Sequence, residues 1–131
     1  MTIITQDETN PNVYKFSDKC TCNYLEFQIS EDKKTTWINS HYLDSDNCKL
    51  FIIMLNYALQ HMKSLGAIEY EQITDQNEWN DFLSENKEWE IVKTYPNTND
   101  SKIPSIIDIK CNINVAYELI VDGFLRNNNV Y

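Results

Sequence analysis

The longest periodic segment of the chain runs from Asp44 to Gly66, where apolar residues recur at three- and four-residue steps. This spacing predicts an amphipathic helix. One apolar stripe consists of Cys48, Phe51, Ile52, Leu55, Leu59, Met62 and Leu65, and a second consists of Leu50, Ile53, Met54 and Tyr57. Because the two stripes leave little polar surface, we expect the N-terminal half of this helix to be buried on more than one side. Asp44, Ser45 and Asp46 are candidate N-cap residues, and Gly66 can adopt the left-handed conformation that ends a helix.

Apolar and polar residues alternate with a period of two on both sides of this helix, which predicts strands. The alternation is clearest at residues 23–30. The predicted strands are 13–16, 23–30, 35–43, 67–74, 89–95 and 105–113. Two shorter helices are also predicted, one beginning at Thr74 or Asp75 and one over 115–126 with Asn114 as its cap.

The resulting order of elements is β-β-β-α-β-α-β-β-α. It predicts an α+β fold in a single domain that spans residues 1–131. We expect a mixed, mainly antiparallel sheet, packed by one long central helix and two shorter helices. Since the long helix connects strands 35–43 and 67–74, these two strands are expected to be parallel.

The two ends of the chain and one internal segment are polar. Residues 1–12 include Asn-Pro-Asn and are predicted to form a loose N-terminal arm, with a short edge strand at Ile3 and Ile4 as the alternative. Residues 127–131 are predicted to be a polar tail, and residues 96–104, which begin and end with proline, are predicted to be a loop.

Length and composition are those of a globular chain with an acidic surface. With 131 residues, of which 42% are hydrophobic, the chain can bury a core without disulfides or a structural metal. The net charge of −9 argues against nucleic acid or a membrane surface as a direct partner, because both bind clustered Lys and Arg. Solubility explains the charge most simply, and an acidic face for a basic protein partner is the alternative.

Cysteine usage and codon bias bear on where the protein works. Cys20 and Cys22 are too close for an ordinary disulfide framework, which predicts a reducing, intracellular environment. No signal peptide is recognisable, and the uncharged run 50–59 is too short to span a bilayer. Asn and Ile are abundant whereas Gly and Ala are scarce, which indicates an AT-rich genome such as that of a large DNA virus or a protist. For a virus, the location would be the host cytoplasm.

A metal site can be composed from Cys20, Cys22, His41 and Cys48. The spacing of the first pair differs from the C-x₂-C of common zinc modules, and no second pair repeats it, so we predict no metal and unrelated thiols instead. Cys20 or Cys22 with His41 is a conceivable nucleophile and base, although nothing in the spacing requires it. His41 and His61 are each predicted to be a structural or surface residue rather than a catalytic base. The sequence assigns no catalytic residue.

Paired carboxylates and aromatic residues are the remaining candidates. Glu69 and Glu71 share one face of a predicted strand, which suits a divalent cation or acid–base chemistry but more often marks a solvated face. Further acidic pairs are Asp44/Asp46 and Glu88/Glu90. The aromatic residues that could line a peptide groove, or more simply belong to the core and sheet, are Tyr24, Trp37, Tyr42, Tyr70, Trp79, Trp89 and Tyr95.

From about Tyr24 to Ile113 the predicted order of elements resembles that of the GNAT acetyltransferases. The resemblance implies a cofactor whose pyrophosphate binds a glycine-rich turn at the start of the long helix, where backbone N–H groups meet the phosphates. Here that turn, 43–47, reads Leu-Asp-Ser-Asp-Asn. It has no glycine and puts two carboxylates where the phosphates would lie, so we predict no cofactor.

Two functions are compatible with these observations. The favoured one is a small acidic, non-catalytic protein that acts by protein–protein contact as an adaptor, inhibitor or accessory protein, with a homodimer as one form. The alternative is a small enzyme on a GNAT-like acyltransferase core with a degenerate or altered cofactor site.

Overall fold

The computed structural model describes residues 2–75, 89–95 and 106–127. Seven strands within these ranges form one sheet in the order β1-β2-β3-β4-β5-β7-β6. The strands are β1 Thr2–Gln6, β2 Val13–Asp18, β3 Tyr24–Ile29, β4 Thr35–Tyr42, β5 Glu69–Asp75, β6 Glu90–Tyr95 and β7 Ile106–Asn112. The helices in this part of the chain are α1 Cys48–Ser64, preceded by a 3₁₀ turn Ser45–Asn47, and α2 Ile113–Asn127.

The sheet is mixed, as the sequence predicts. Neighbouring strands are antiparallel throughout, except that β4 and β5 run parallel on either side of α1. The α+β fold and the parallel crossover are therefore confirmed. The helix predicted from Thr74 or Asp75 falls largely within 76–88, and the predicted loop within 96–105, and both segments lie outside the described residues.

The predicted set of one long and two shorter helices needs correction. Within the described residues α2 has 15 residues, nearly as many as the 17 of α1. Asn112 caps it rather than Asn114, because the Asn112 side chain accepts a hydrogen bond from the backbone N–H of Asn114 at 2.9 Å. The helix consequently begins directly after β7. It ends at Asn127, and the rest of the predicted polar tail lies outside the described residues.

Of the two alternatives for residues 1–12, the structure has the edge strand. β1 pairs with β2 along its whole length, from Thr2 opposite Asp18 to Gln6 opposite Tyr14. The connection is held by Asp7, whose carboxylate accepts hydrogen bonds from the backbone N–H groups of Thr9 and Asn10. A local side-chain cap of this kind lets a polar segment reverse direction without an apolar anchor.

Both described helices pack on the same face of the sheet. α1 lies on β2 and β3, α2 lies on β5 and β7, and the two helices contact each other. Along α1 the buried residues are Phe51, Met54, Leu55, Ala58, Leu59 and Met62. The expectation that α1 is buried on more than one side is wrong, because Ile53 is 63% exposed and Tyr57 48% exposed. No helix in the described part of the chain is long and apolar enough to cross a membrane.

Gly66 ends α1 in the left-handed conformation, with φ of 116°. A Cβ atom at this position would lie 3.2 Å from the carbonyl oxygen of Lys33. We therefore expect Gly66→Ala to lower the free energy of unfolding by about 1–2 kcal/mol in urea denaturation, from backbone strain and crowding. Gln60→Ala on the exposed side of α1 is the matched control, with an expected change within about 0.5 kcal/mol. Equal stability of the two variants would contradict this account.

Candidate functional site

A gap divides the sheet between β4 and β5. The two strands pair only at Thr35 with Glu69 and at Thr36 with Tyr70, although β4 continues to Tyr42 and β5 to Asp75. Beyond Thr36 the facing strand edges have no ladder with each other. Backbone N–H and C=O groups on such edges need other partners, so the gap suits an extended ligand that carries amide groups.

An irregularity in β4 explains why the strands part. Phe27 of β3 pairs with Ile38, but the preceding Glu26 pairs with Ser40, which makes Asn39 an additional residue in β4. A β-bulge of this kind bends its strand and increases the local twist. The second half of β4 is thereby directed away from β5, while its pairing with β3 resumes.

A pair of carboxyl groups lies where β4 and β5 separate. Glu71 is the first residue of β5 beyond the last pair with β4, and its side chain shares a hydrogen bond with that of Asp108 on β7. Asp108 is only 8% exposed, and its Oδ1 atom has no hydrogen-bond partner among the residues that the structure describes. A buried acceptor without a partner is costly in a folded protein and is common at binding sites.

The environment of Glu71 raises its pKa to about 7. The hydrogen bond with Asp108 is the largest cause, followed by burial and by the negative charge of Asp108, while Lys110 acts in the opposite direction. Like-charged neighbours disfavour ionisation in this way. The raised pKa lets the Glu71 carboxyl group exchange protons closer to neutral pH than an ordinary carboxyl group does, which suits a group that accepts and releases protons.

Glu69 has a different environment although it lies two residues away on the same strand. Its carboxylate forms an ion pair with Lys110 at 3.1 Å and accepts a hydrogen bond from Thr35 Oγ1 at 3.4 Å. The hydrogen bond with Glu69 raises the pKa of Lys110. The two carboxyl groups of the predicted pair therefore have different partners: Glu69 is paired with Lys110, and Glu71 with Asp108. Asp108 was missed by the sequence analysis, since its position beside Glu71 follows from the register of β5 and β7, in which Ile73 faces Asp108.

The turn before α1 uses its own hydrogen-bond donors. Asn23 Oδ1 accepts from the backbone N–H of Asp44 at 2.5 Å, and Asp44 Oδ1 accepts from that of Asp46 at 3.1 Å. The backbone N–H of Asn47 is bonded to the Asp44 carbonyl oxygen at 2.9 Å. Asn23, 1% exposed, also donates to the Asn47 carbonyl oxygen at 3.0 Å. Three backbone donors of this turn are therefore occupied before any anion arrives.

The sequence-predicted metal and nucleophile candidates lie in different elements. Cys20 and Cys22 are exposed in the connection between β2 and β3, Cys48 begins α1, and His41 lies near the end of β4 opposite Leu25. Desolvation of part of the imidazole lowers the pKa of His41. Among the described residues no group of three or more His, Cys, Asp or Glu side chains is placed to hold a metal ion.

The aromatic candidates differ in how deeply they are buried. Tyr70 and Trp89 are buried and pack edge to face with ring centroids 6.5 Å apart, whereas Tyr42 and Tyr95 are exposed. Tyr24 and Trp37 are half-buried, and Trp79 lies outside the described residues. His61 packs against the rings of Tyr14 and Phe16, so of the two predicted roles, structural or surface, the contacts favour the structural one.

The arrangement of strands and helices is similar to that of solved acetyltransferases. An aminoglycoside 6'-N-acetyltransferase from Enterococcus faecium has a TM-score of 0.55 at 14% identity, over 79% of this chain and 74% of that chain. An aminoglycoside 6'-N-acetyltransferase complexed with coenzyme A has a TM-score of 0.54 at 14% identity, over 80% of this chain and 75% of that chain. A protein from Desulfovibrio desulfuricans that is assigned to the GNAT acetyltransferase family has a TM-score of 0.54 at 8% identity, over 78% of this chain and 69% of that chain.

No protein-family profile matches the sequence, and no curated protein does. At these low identities the structural similarity establishes a GNAT-like fold and leaves the substrate open. It also corrects the favoured interpretation of the sequence. The structures that share the fold are acetyltransferases, which contradicts the interpretation as a non-catalytic interaction protein, and none of them supports a viral source. The acyltransferase alternative has the better support.

Proposed function

We propose that this chain is a small acyltransferase that moves an acyl group from a thioester donor to an amine, with an altered cofactor site. The observation that carries the proposal is the carboxyl pair Glu71/Asp108 at the point where β4 and β5 separate. Amine acylation needs a proton acceptor, and a carboxyl group whose pKa is raised to about 7 can serve as one beside the gap. The GNAT-like fold supports this reading, since it recurs among acetyltransferases.

The chemistry assigned to the chain is proton transfer and positioning. The ionised Glu71 carboxylate takes a proton from the ammonium group of the acceptor, which leaves a neutral amine. The amine nitrogen then forms a bond to the acyl carbon of the thioester, and the bond from that carbon to sulfur breaks. The leaving thiolate receives the proton that the nitrogen loses, so the products are an amide and a free thiol. Asp108 holds Glu71 in place and raises its pKa.

The cofactor implied by the resemblance fits this chain poorly at its phosphates. One of the structures with the same fold is complexed with coenzyme A, but that observation concerns the other protein. Here the backbone donors of Asp44, Asp46 and Asn47 are already bonded within the turn. The exposed carboxylate of Asp46 would face any bound phosphate with a like charge. We therefore assign no pyrophosphate contact to this turn.

This misfit predicts an unusual tolerance for shortened donors. With a panel of primary amines as acceptors, we expect the kcat/KM of S-acetylpantetheine to lie within about tenfold of that of acetyl-CoA. The shortened donor lacks the phosphates, and at this turn that costs at most about one charge-assisted hydrogen bond. Raised ionic strength should lower the KM for acetyl-CoA by screening repulsion and leave that for S-acetylpantetheine unchanged. A preference for acetyl-CoA of about 100-fold or more would refute the misfit. Absence of transfer from either donor to every amine would refute the proposed function itself.

A further inference from the structure

Trp37 and Glu71 lie on the same face of the sheet at the mouth of the gap, which is the position directly after the last pair of β4 and β5. Thr35 and Glu69 form the first pair of β4 and β5, and their side chains are hydrogen-bonded, so both lie on one face. Side chains alternate along a strand, which places the residues two positions further on that face as well. Those residues are Trp37 and Glu71, each just beyond the last paired position of its strand.

The Trp37 side chain is held by a chain of hydrogen bonds. Its indole Nε1–H donates to Asn39 Oδ1 at 2.9 Å, and Asn39 Nδ2 donates to Gln28 Oε1 at 2.8 Å. Asn39 is the additional residue of the bulge, so the same irregularity that opens the gap also fixes the indole. Since the N–H group is already bonded, the face of the ring is the part of Trp37 left for a ligand. The residue is half-buried, which keeps some of that surface accessible.

The two sides of the mouth have complementary chemistry for a cation. An indole face attracts an ammonium group through its quadrupole, most strongly among the aromatic side chains. Across the gap, at the next position of the register, lies Glu71, whose carboxyl group shares a hydrogen bond with Asp108. Asp108 Oδ1 is buried behind it and has no hydrogen-bond partner among the described residues, so the pair holds negative charge that no described cation neutralises. Lys110 does not supply that partner, because its ammonium group is paired with Glu69 at 3.1 Å.

We infer that Trp37 is the specificity-determining residue for the acceptor, which is a primary alkylammonium ion bound between the indole ring and the Glu71/Asp108 pair. This rests on the proposed function for the reaction, but the binding of the cation stands on the geometry alone. A primary ammonium keeps a proton that Glu71 can remove, whereas a quaternary ammonium has none. Neutral acceptors such as alcohols lack the charge that both sides of the mouth recognise.

The inference is tested without any acyl donor, by titrating the whole chain with n-butylamine and with 1-butanol as its neutral counterpart. The chain has three tryptophans, so indole N–H signals in ¹H–¹⁵N spectra report on Trp37 once Trp37→Phe has assigned its resonance. We expect butylammonium to bind about tenfold more tightly than butanol and to shift the Trp37 signal. In Trp37→Leu the preference should fall to about twofold or less, with Trp37→Phe in between. Tyr57 is an exposed aromatic on the outer side of α1, so Tyr57→Leu is the control and should leave the preference for butylammonium over butanol unchanged.

Equal binding of the two probes by the wild-type chain, or an unchanged preference in Trp37→Leu, would overturn the inference. Circular dichroism checks that each variant is folded, and Trp37→Phe serves if the leucine variant is not. If acyl transfer is measurable, Trp37→Leu should raise the KM for the amine about 5- to 30-fold and change kcat by less than about twofold. If no amine is acylated but the Trp37-dependent preference is present, the proposed function fails and the cation site remains.

Discussion

Leu55→Asp is expected to leave the chain unfolded at room temperature. Leu55 is fully buried in the centre of α1, within the core that α1 forms with β2, β3 and α2. A carboxylate there would lose its hydration without gaining a partner, at a cost of several kcal/mol beyond the lost apolar contacts. Domains of this size are stable by only about 5–15 kcal/mol, so one such change removes most of the margin. Circular dichroism would show loss of the helical signal and of a cooperative thermal transition.

Ile53→Asp provides the matched control on the same helix. It introduces the same charge two residues away, but Ile53 is 63% exposed. We expect its free energy of unfolding to stay within about 0.5–1 kcal/mol of the wild type. If both variants unfold, the added negative charge on a chain of net charge −9 is responsible rather than burial. A cooperative, wild-type-like transition for Leu55→Asp would show that the core does not depend on α1 as described.

The comparison of these two positions also shows what periodicity can and cannot predict. The spacing of apolar residues identified the helix and included Leu55 in one stripe. A second apolar stripe with the same period contained Ile53 and Met54, of which the first is exposed and the second buried. Hydrophobicity alone cannot choose between two apolar stripes, because the choice depends on how α1 is rotated against β2 and β3. That rotation is a property of the packed sheet.

The candidate site was predictable only in its local parts. Asp44 was one of three candidate N-cap residues, and it caps the 3₁₀ turn before α1 by accepting from the backbone N–H of Asp46, an interaction that short-range rules describe. Asn23, which clamps the same turn from 21 residues away, gave no signal. Glu71 was recognised as sharing a strand face with Glu69, but its hydrogen-bond partner Asp108 was not recognised. Asp108 joins it through the register of two strands that are distant in sequence, which no local pattern encodes.

The error about function has a related cause. The prediction of no cofactor came from the turn 43–47 alone, whose carboxylates oppose a phosphate. Three backbone donors of that turn are bonded internally, which adds to the misfit at this position. It does not extend to the gap between β4 and β5, where the groups suited to proton transfer lie. A missing phosphate contact changes how a donor binds, whereas the acid–base chemistry depends on different residues.

Glu71→Gln is expected to lower kcat for amine acylation by about 10²- to 10⁴-fold, because the amide cannot take the proton from the acceptor. The wild-type rate should rise with pH through about 7, since only the ionised carboxylate accepts a proton and the pKa of Glu71 is raised to about 7. The variant should lose this dependence. Glu69→Gln is the matched control: it removes the same charge from the same face, but its carboxylate is paired with Lys110, so we expect kcat within about threefold of the wild type.

Asp108→Asn tests whether the carboxyl pair sets the pH dependence. Both the hydrogen bond with Asp108 and its negative charge raise the pKa of Glu71, so their loss should move the rise in rate toward lower pH, in the direction of the ordinary value of 4.5. At pH 6 the variant should then hold more of its Glu71 in the ionised form than the wild type does. A pH profile that stays centred near 7 in Asp108→Asn would assign the transition to another group. A profile that moves toward lower pH, together with an inactive Glu71→Gln, identifies Glu71 as the proton acceptor and Asp108 as the residue that tunes it.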